Sequence, residues 1–272
     1  MKYCVDFDTR FQYINEIDEV IIKYNKQKAD ALKYIQEHPK NCVILYIDNV
    51  EDKETKKELN KLSQIALEHP EFNFKVEFAE MIYNIQKYNY HFKYFFHTYV
   101  NTWDRFVGIL NLGVSDIYII DELGFELDKI AEIAHKNNIS IRCFANIAQS
   151  SWVDTPSIKK FFIRPEDISF YENFVDVIYF TGKIEEINIY YDIYKNDKKW
   201  FGKLNEIILN LDENDKIDLD SRYIIPRFAE ARVKCGKKCL KGNNCQICER
   251  IYELSQSLEK AKLIVRKKEE EK

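Results

Sequence analysis

The chain has 272 residues, 46% hydrophobic and 32% charged, which suits one large globular domain or two small ones and excludes a disordered or fibrous class. Its net charge of −4 gives no overall attraction to nucleic acid, so any such contact rests on a local basic patch. Glycine is scarce, at 7 residues, and neither a G-x-G-x-x-G nor a Walker A run is present, which argues against glycine-rich phosphate loops.

The N-terminus, Met1-Lys-Tyr-Cys-Val-Asp6, reads as a strand and lacks the apolar core of a signal peptide. No apolar run approaches a membrane span. The expectation is a cytoplasmic protein without a membrane partner.

From the start, short β-rich runs alternate with helical ones. Tyr3–Phe7 and Glu19–Tyr24 read as strands, and residues 27–37 as a helix that stops at His38-Pro39. Cys42–Asp48 is almost wholly apolar, as expected of a strand buried on both faces of a parallel sheet. The helix over 52–68 stops at His69-Pro70, repeating the first joint about one βαβ unit later, and Phe74–Phe78 follows as a strand. Strands over 92–98, 116–121, 139–146, 160–165 and 175–180 are separated by helices over 102–112, 124–137 and 166–173. Eight or nine strands divided by helices predict an α/β fold, specifically a (β/α)8 TIM-like barrel over residues 1–183. An open doubly wound sheet is the second expectation.

Residues 184–272 form a C-terminal helical extension in this reading. Residues 184–210 are helical, 212–220 a polar connector and 225–233 helical again. Then four of the seven cysteines fall within fourteen residues: Cys235, Cys239, Cys245 and Cys248, spaced C-x3-C-x5-C-x2-C. In a reducing compartment, thiolates this dense are metal ligands in preference to disulfides. Gly236 and Gly242 let the backbone fold around an ion, and Lys234, Lys237, Lys238 and Lys241 offset thiolate charge and make the local basic patch. Zinc and an iron–sulfur cluster both accept four thiolates. The last helix carries Ile247, Ile251, Leu254, Leu258 and Ala261 on one stripe, which packs on its own domain or joins a second copy.

Function in such a sheet is expected at the C-terminal ends of the strands. The polar residues there include Asp8, Lys23, Asp48, Asn49, Glu77, His97, Asp121, Glu122, Asn146, Gln149, Arg164, Glu166 and Lys183. Four of them, His97, Arg164, Asp121 and Glu77, are the candidate catalytic residues. His97 offers the imidazole at a strand end, and Arg164 a forked donor for a carboxylate or phosphate. Asp121 and Glu77 are carboxylates suited to proton transfer. Pro165, Glu166 and Asp167 are explained as an ordinary helix start.

Asn146–Gln149, Phe162-Ile-Arg-Pro-Glu-Asp167, Tyr171-Glu172 and Val175-Asp176, with the cysteines downstream, resemble the collagenase-like peptidase family, family U thirty-two. The resemblance covers residues 114–183 and the cysteine stretch. It implies a barrel, and through the four-cysteine members it implies an iron–sulfur cluster and oxygen-independent hydroxylation of RNA or a small aromatic precursor. The family's peptidase signature, a glutamate and a histidine-glycine ahead of a cysteine pair, is absent, which leaves proteolysis without support. The alternative is a non-catalytic binding or scaffold module in which zinc holds the C-terminal helix.

Overall fold

The computed structural model describes residues 1–23, 28–38, 42–46, 53–69, 74–76, 85–90, 94–112, 114–150, 159–211, 220–236, 246, 248–254, 256–258 and 260. Eight parallel strands are present: β1 (Lys2–Asp6), β2 (Glu19–Lys23), β3 (Cys42–Tyr46), β4 (Phe74–Val76), β5 (Tyr94–Val100), β6 (Val114–Ile119), β7 (Ser140–Phe144) and β8 (Val177–Phe180). They pair in chain order, and β8 returns to β1 through Lys2↔Val177 to Val5↔Phe180. The helices are α1 (Lys28–Glu37), α2 (Lys53–Glu68), α3 (Trp103–Ile109), α4 (Leu127–Lys136), α5 (Ile168–Tyr171), α6 (Ile184–Asp192) and α7 (Phe228–Lys234).

The α/β character holds, but the expected closed (β/α)8 TIM-like barrel is corrected to an open, curled half-barrel of six parallel strands. The sheet curls through uneven strands, and β4 is only three residues long. The helical layer does not repeat regularly around it. Residues 7–18, between β1 and β2, form turns with no α-helix, held by Phe7, Phe11 and Ile17 against the core. Between β7 and β8 stand a 3-10 turn (Pro165–Asp167) and the single turn of α5. The expected strand over 160–165 makes only an isolated antiparallel bridge, Gln149↔Phe161. Its apolar run is there because Phe161, Phe162 and Ile163 are buried, which an irregular segment achieves as well as a strand.

Helix α4 shows how sequence sets the outer layer. Leu127, Ile130, Ala131 and Ala134 recur at helical spacing and are buried. Asp128 lies in the first turn and His135 and Lys136 in the last, matching the helix dipole. Ahead of it, Gly124 sits against Phe161, whose ring atoms a Cβ at residue 124 would approach to 2.3 Å. Residues after 183 share the core of the sheet: Tyr191 meets Tyr3 edge-on at 5.8 Å, and Tyr194 donates to the Ile163 carbonyl at 2.7 Å.

Strand alternation divides the apolar residues into two clusters. Val5, Val20, Ile22, Ile117, Ile119, Ile141, Cys143, Ile178 and Phe180 face outward to the helices. Cys4, Ile21, Tyr118, Val177 and Tyr179, with Tyr99 and Phe144, form a separate inner cluster.

The inner face also holds charge. Arg142, with no solvent exposure, donates from Nε to Asp116 Oδ1 at 3.0 Å and from Nη2 to Glu19 Oε2. Lys2 reaches Glu19 at 3.4 Å, and Ser115 donates to Asp116 at 2.9 Å. Burial disfavours the guanidinium charge, but Glu19, Tyr118 and Asp116 outweigh it and hold Arg142 protonated. Arg142→Ala removes the buried cation that Glu19 and Asp116 share, so we expect a loss of about 3–5 kcal/mol. Urea denaturation checks this, and a loss below about 1 kcal/mol would show that the network is not fixed.

Candidate functional site

The inner face changes character along the strands. Near their starts lie Glu19, the first residue of β2, with Asp116 and Arg142. Near their C-terminal ends lie Asp6, Tyr99, Phe144 and Tyr179, with Tyr118 beneath. The aromatic rings touch in sequence: Tyr99 stacks on Tyr118 at 4.9 Å, Tyr118 lies 5.7 Å from Phe144, and Phe144 lies 5.0 Å from Tyr179. Tyr118 and Tyr179 are buried, whereas Tyr99, Phe144 and Asp6 are half-buried. Tyr179 donates its hydroxyl to Asp6 Oδ1 at 2.8 Å. The result is a graded aromatic surface with a carboxylate at its edge, at the end of the sheet where α/β proteins place ligands.

Arg142 lies 5.7 Å from the Tyr118 ring, so the charged and aromatic layers are in contact. Burial pushes the Tyr118 phenol well above its ordinary value, with Arg142 acting in the opposite sense. Burial does the same to Tyr179, reinforced by Asp6.

Of the sequence-predicted catalytic residues, Arg164 is the best defined. It is buried and held in a fork by Asp167, Nε to Oδ2 at 2.7 Å and Nη2 to Oδ1 at 2.8 Å, with the Phe228 ring 5.0 Å away. The forked donor that sequence offers to a ligand is occupied by a carboxylate of its own turn. Asp121 opens the 3-10 helix Asp121–Glu126 in a left-handed conformation, φ 56°. His97 occupies a β5 position in register with Asp116, where the ladder slips between Phe96 and His97. Such irregularities re-aim a strand locally. Glu77 lies outside the described residues, as do Asp48 and Asn49. The backbone therefore pairs His97 with Asp116 in register, and Arg164 stands in a separate buried ion pair.

Other strand-end polar residues join elements. Asn146 closes β7 onto β8, donating to the Thr181 carbonyl at 2.6 Å and accepting from its amide at 3.1 Å. Glu166 Oε1 accepts from the Trp200 amide at 2.8 Å and the Ser221 hydroxyl at 2.9 Å. Sequence reasoning missed Glu19, Asp116 and Arg142, and the aromatic set with Asp6. The available signal was alternation: Asp116-x-Tyr118, Arg142-x-Phe144 and Cys4-x-Asp6 place non-aliphatic side chains at every second position of otherwise aliphatic strands.

The cysteine stretch begins where α7 ends. Cys235 is the buried C-terminal cap, and Gly236 at φ 55° supplies the left-handed residue that turns the chain away. Cys248 is half-buried against the main core, Ile251 is buried in it, and Glu249 pairs with Lys159 at 2.7 Å. Cys239 and Cys245 lie outside the described residues. Among the described residues no three His, Cys, Asp or Glu side chains converge as a metal site. Cys235 and Cys248 are the two described members of the expected set, and soft thiolate donors suit zinc or iron–sulfur chemistry. Arg232, on α7, is buried among Phe162 at 4.3 Å, Phe125 at 4.7 Å and Phe228 at 4.7 Å. It donates from Nη2 to the Lys160 carbonyl.

No family model matches the chain, and no curated protein matches it either. Among solved structures, that of a U32 peptidase is similar at a TM-score of 0.41 and 10% identity, over 67% of this chain and 93% of that one. No described helix is long and apolar enough to cross a membrane.

The phenols give a pH-dependent readout. Tyr3 is pushed up to about 12 by burial first and then by Glu172, and Tyr118 and Tyr179 rise in the same direction. Their folded values lie above the unfolded value of about 10, so their contribution to stability is intact below that pH and falls as pH rises through and beyond it. We expect urea midpoints to decline from about pH 10 upward, and Tyr118→Phe to decline less steeply. A flat profile over that range would contradict the burial of these phenols.

Proposed function

We propose that the protein binds a planar aromatic group, a nucleic-acid base or a small aromatic ring, at the C-terminal end of the curled sheet. It carries a thiolate metal centre on Cys235, Cys239, Cys245 and Cys248 beside that sheet. The observation that carries this reading is the aromatic surface itself. Tyr118 and Tyr179 form a fixed buried floor, and Tyr99 and Phe144 keep part of their rings in solvent. Asp6 adds a carboxylate that accepts an N–H or O–H from a ligand whose ring lies on those faces. Stacking on such rings is worth about 1–3 kcal/mol per base. The net charge of −4 favours a small aromatic molecule over a long polyanion, unless the basic residues of the cysteine stretch supply the contact.

The reaction this reading favours is a hydroxylation-type modification, supported by the resemblance of Phe162–Asp167 and of the four cysteines to the hydroxylating members of family U thirty-two. The fitting cofactor is an iron–sulfur cluster, which supplies electron transfer when bound. This chain's own residues orient the ring, keep its faces dry and place a proton acceptor at Asp6.

A second reading has its own support. Cys235 and Ile251 are buried, and Cys248 packs on the core, so both described ends of the cysteine stretch belong to the fold. A structural zinc there would fix the last helix in a non-catalytic binding module.

Titration with a free nucleoside, a short single-stranded RNA and a phenolic acid tests ligand binding. We expect saturable binding of at least one, weakened about tenfold or more by Tyr99→Ala or Phe144→Ala, in line with the stacking magnitude. Binding that is absent, or unchanged in both variants, would refute the aromatic site. For the metal, anaerobic purification is expected to yield stoichiometric iron and sulfide that Cys245→Ala loses. One zinc with no sulfide would select the structural reading, and chelation would then lower the melting temperature.

A further inference from the structure

The helical layer is interrupted between β1 and β2, where residues 7–18 form turns in place of a helix. An open cleft of about 210 Å³ lies between that turn segment and α1. Its floor is aromatic. Phe7 meets the Tyr34 ring at 5.1 Å, and the His38 imidazole lies against the same ring at 4.5 Å. The Tyr34 hydroxyl donates to the Ile14 carbonyl at 3.4 Å, which ties the helix to the turn segment and holds the ring between them. Phe7 and Tyr34 belong to the outer apolar cluster, so the cleft shares no residue with the aromatic surface at the strand ends.

The rim is charged. Asp30, Lys33 and Glu37 are spaced three and four residues apart on α1, so they share one face of that helix, and all three border the cleft. Lys33 leans toward Glu37, Nζ to Oε1 at 3.9 Å, whereas Asp30 makes no ion pair among the described residues. The two acids outnumber the lysine by one charge. They stand beside aromatic rings, whose faces also favour a cation.

We propose that this cleft binds a small organic cation, an ammonium group on a short apolar or aryl body. The ammonium answers Asp30 at the rim, and the body lies along Tyr34 and His38. Lys33 stands between the two acids and repels a second positive charge, so a monocation fits better than a diamine that spans them. The volume falls below the roughly 300–1,000 Å³ usual for drug-sized ligands, which limits the body to a single ring or a short chain.

Isothermal titration of the full-length chain with phenethylammonium chloride tests the site, with 2-phenylethanol and 3-phenylpropanoate as neutral and anionic counterparts. Saturable binding of the ammonium is expected, about fivefold tighter than of the alcohol, and Asp30→Asn is expected to remove that margin, the upper end for one exposed ion pair. The double variant Asp30→Asn/Glu37→Gln reverses the charge of the rim and is expected to prefer the propanoate to the ammonium. Both side chains are exposed, so the variants are expected to keep the wild-type circular dichroism. If Asp30→Asn does not fold, Glu37→Gln alone carries the comparison between ammonium and propanoate. Absent binding, equal affinity for ammonium and alcohol, or a double variant that keeps the wild-type preference overturns the proposal. Ammonium binding that Tyr99→Ala abolishes and Asp30→Asn spares belongs to the strand-end surface, and overturns it too. Loss of the strand-end site alone leaves this one standing.

Discussion

The structure depends most on one buried cation on the inner face of the curled sheet. Arg142 joins β2 to β6 from its place on β7 by donating to Glu19 and Asp116. Those carboxylates come from strands far apart in sequence, so the bond is made only when the sheet has curled. A buried ion pair adds little net stability over an apolar core, but breaking it is costly, and that asymmetry penalises other registers. A one-residue slip would move Arg142 to the outer face among Ile141 and Cys143, away from Glu19 and Asp116.

Above that layer the inner face becomes aromatic, and the two layers meet at Tyr118. Charge at one end and rings at the other make the interior polarised along its axis. The half-buried rings lie at the end where the chain leaves each strand for its connection, so ligand access and scaffold rigidity are separated in space. Helix α7, which leads into the cysteine stretch, is joined to the same scaffold through Arg232, the rings of Phe125 and Phe162, and the carbonyl of Lys160.

Much of the strand order was legible in the sequence, and the reason is local. Runs such as Asp116–Asp121 and Ile139–Asn146 carry strand-forming residues between turn signals, and the His38-Pro39 and His69-Pro70 joints mark the ends of helices. The regular helical layer was not legible, because residues 7–18 and 160–165 bury aromatic side chains without forming the elements their hydrophobicity suggests. Arg164 looked available because its neighbours in sequence explained themselves as a helix start, yet Asp167 occupies its fork. The inner network was hidden for a different cause. Glu19, Asp116 and Arg142 are separated by up to 123 positions, and only the curl of the sheet brings them together. The burial of Arg232 was not legible either, because in sequence it looks like an ordinary helix residue.

The division of the apolar residues into an outer and an inner cluster has an evolutionary consequence. Alternate positions on each strand belong to different compartments, so inward side chains can be exchanged without disturbing the helices that sheathe the sheet. Selection for a new ligand therefore acts on a handful of sites, among them Tyr99, Phe144 and Asp6, while the sheath keeps the protein folded through the change.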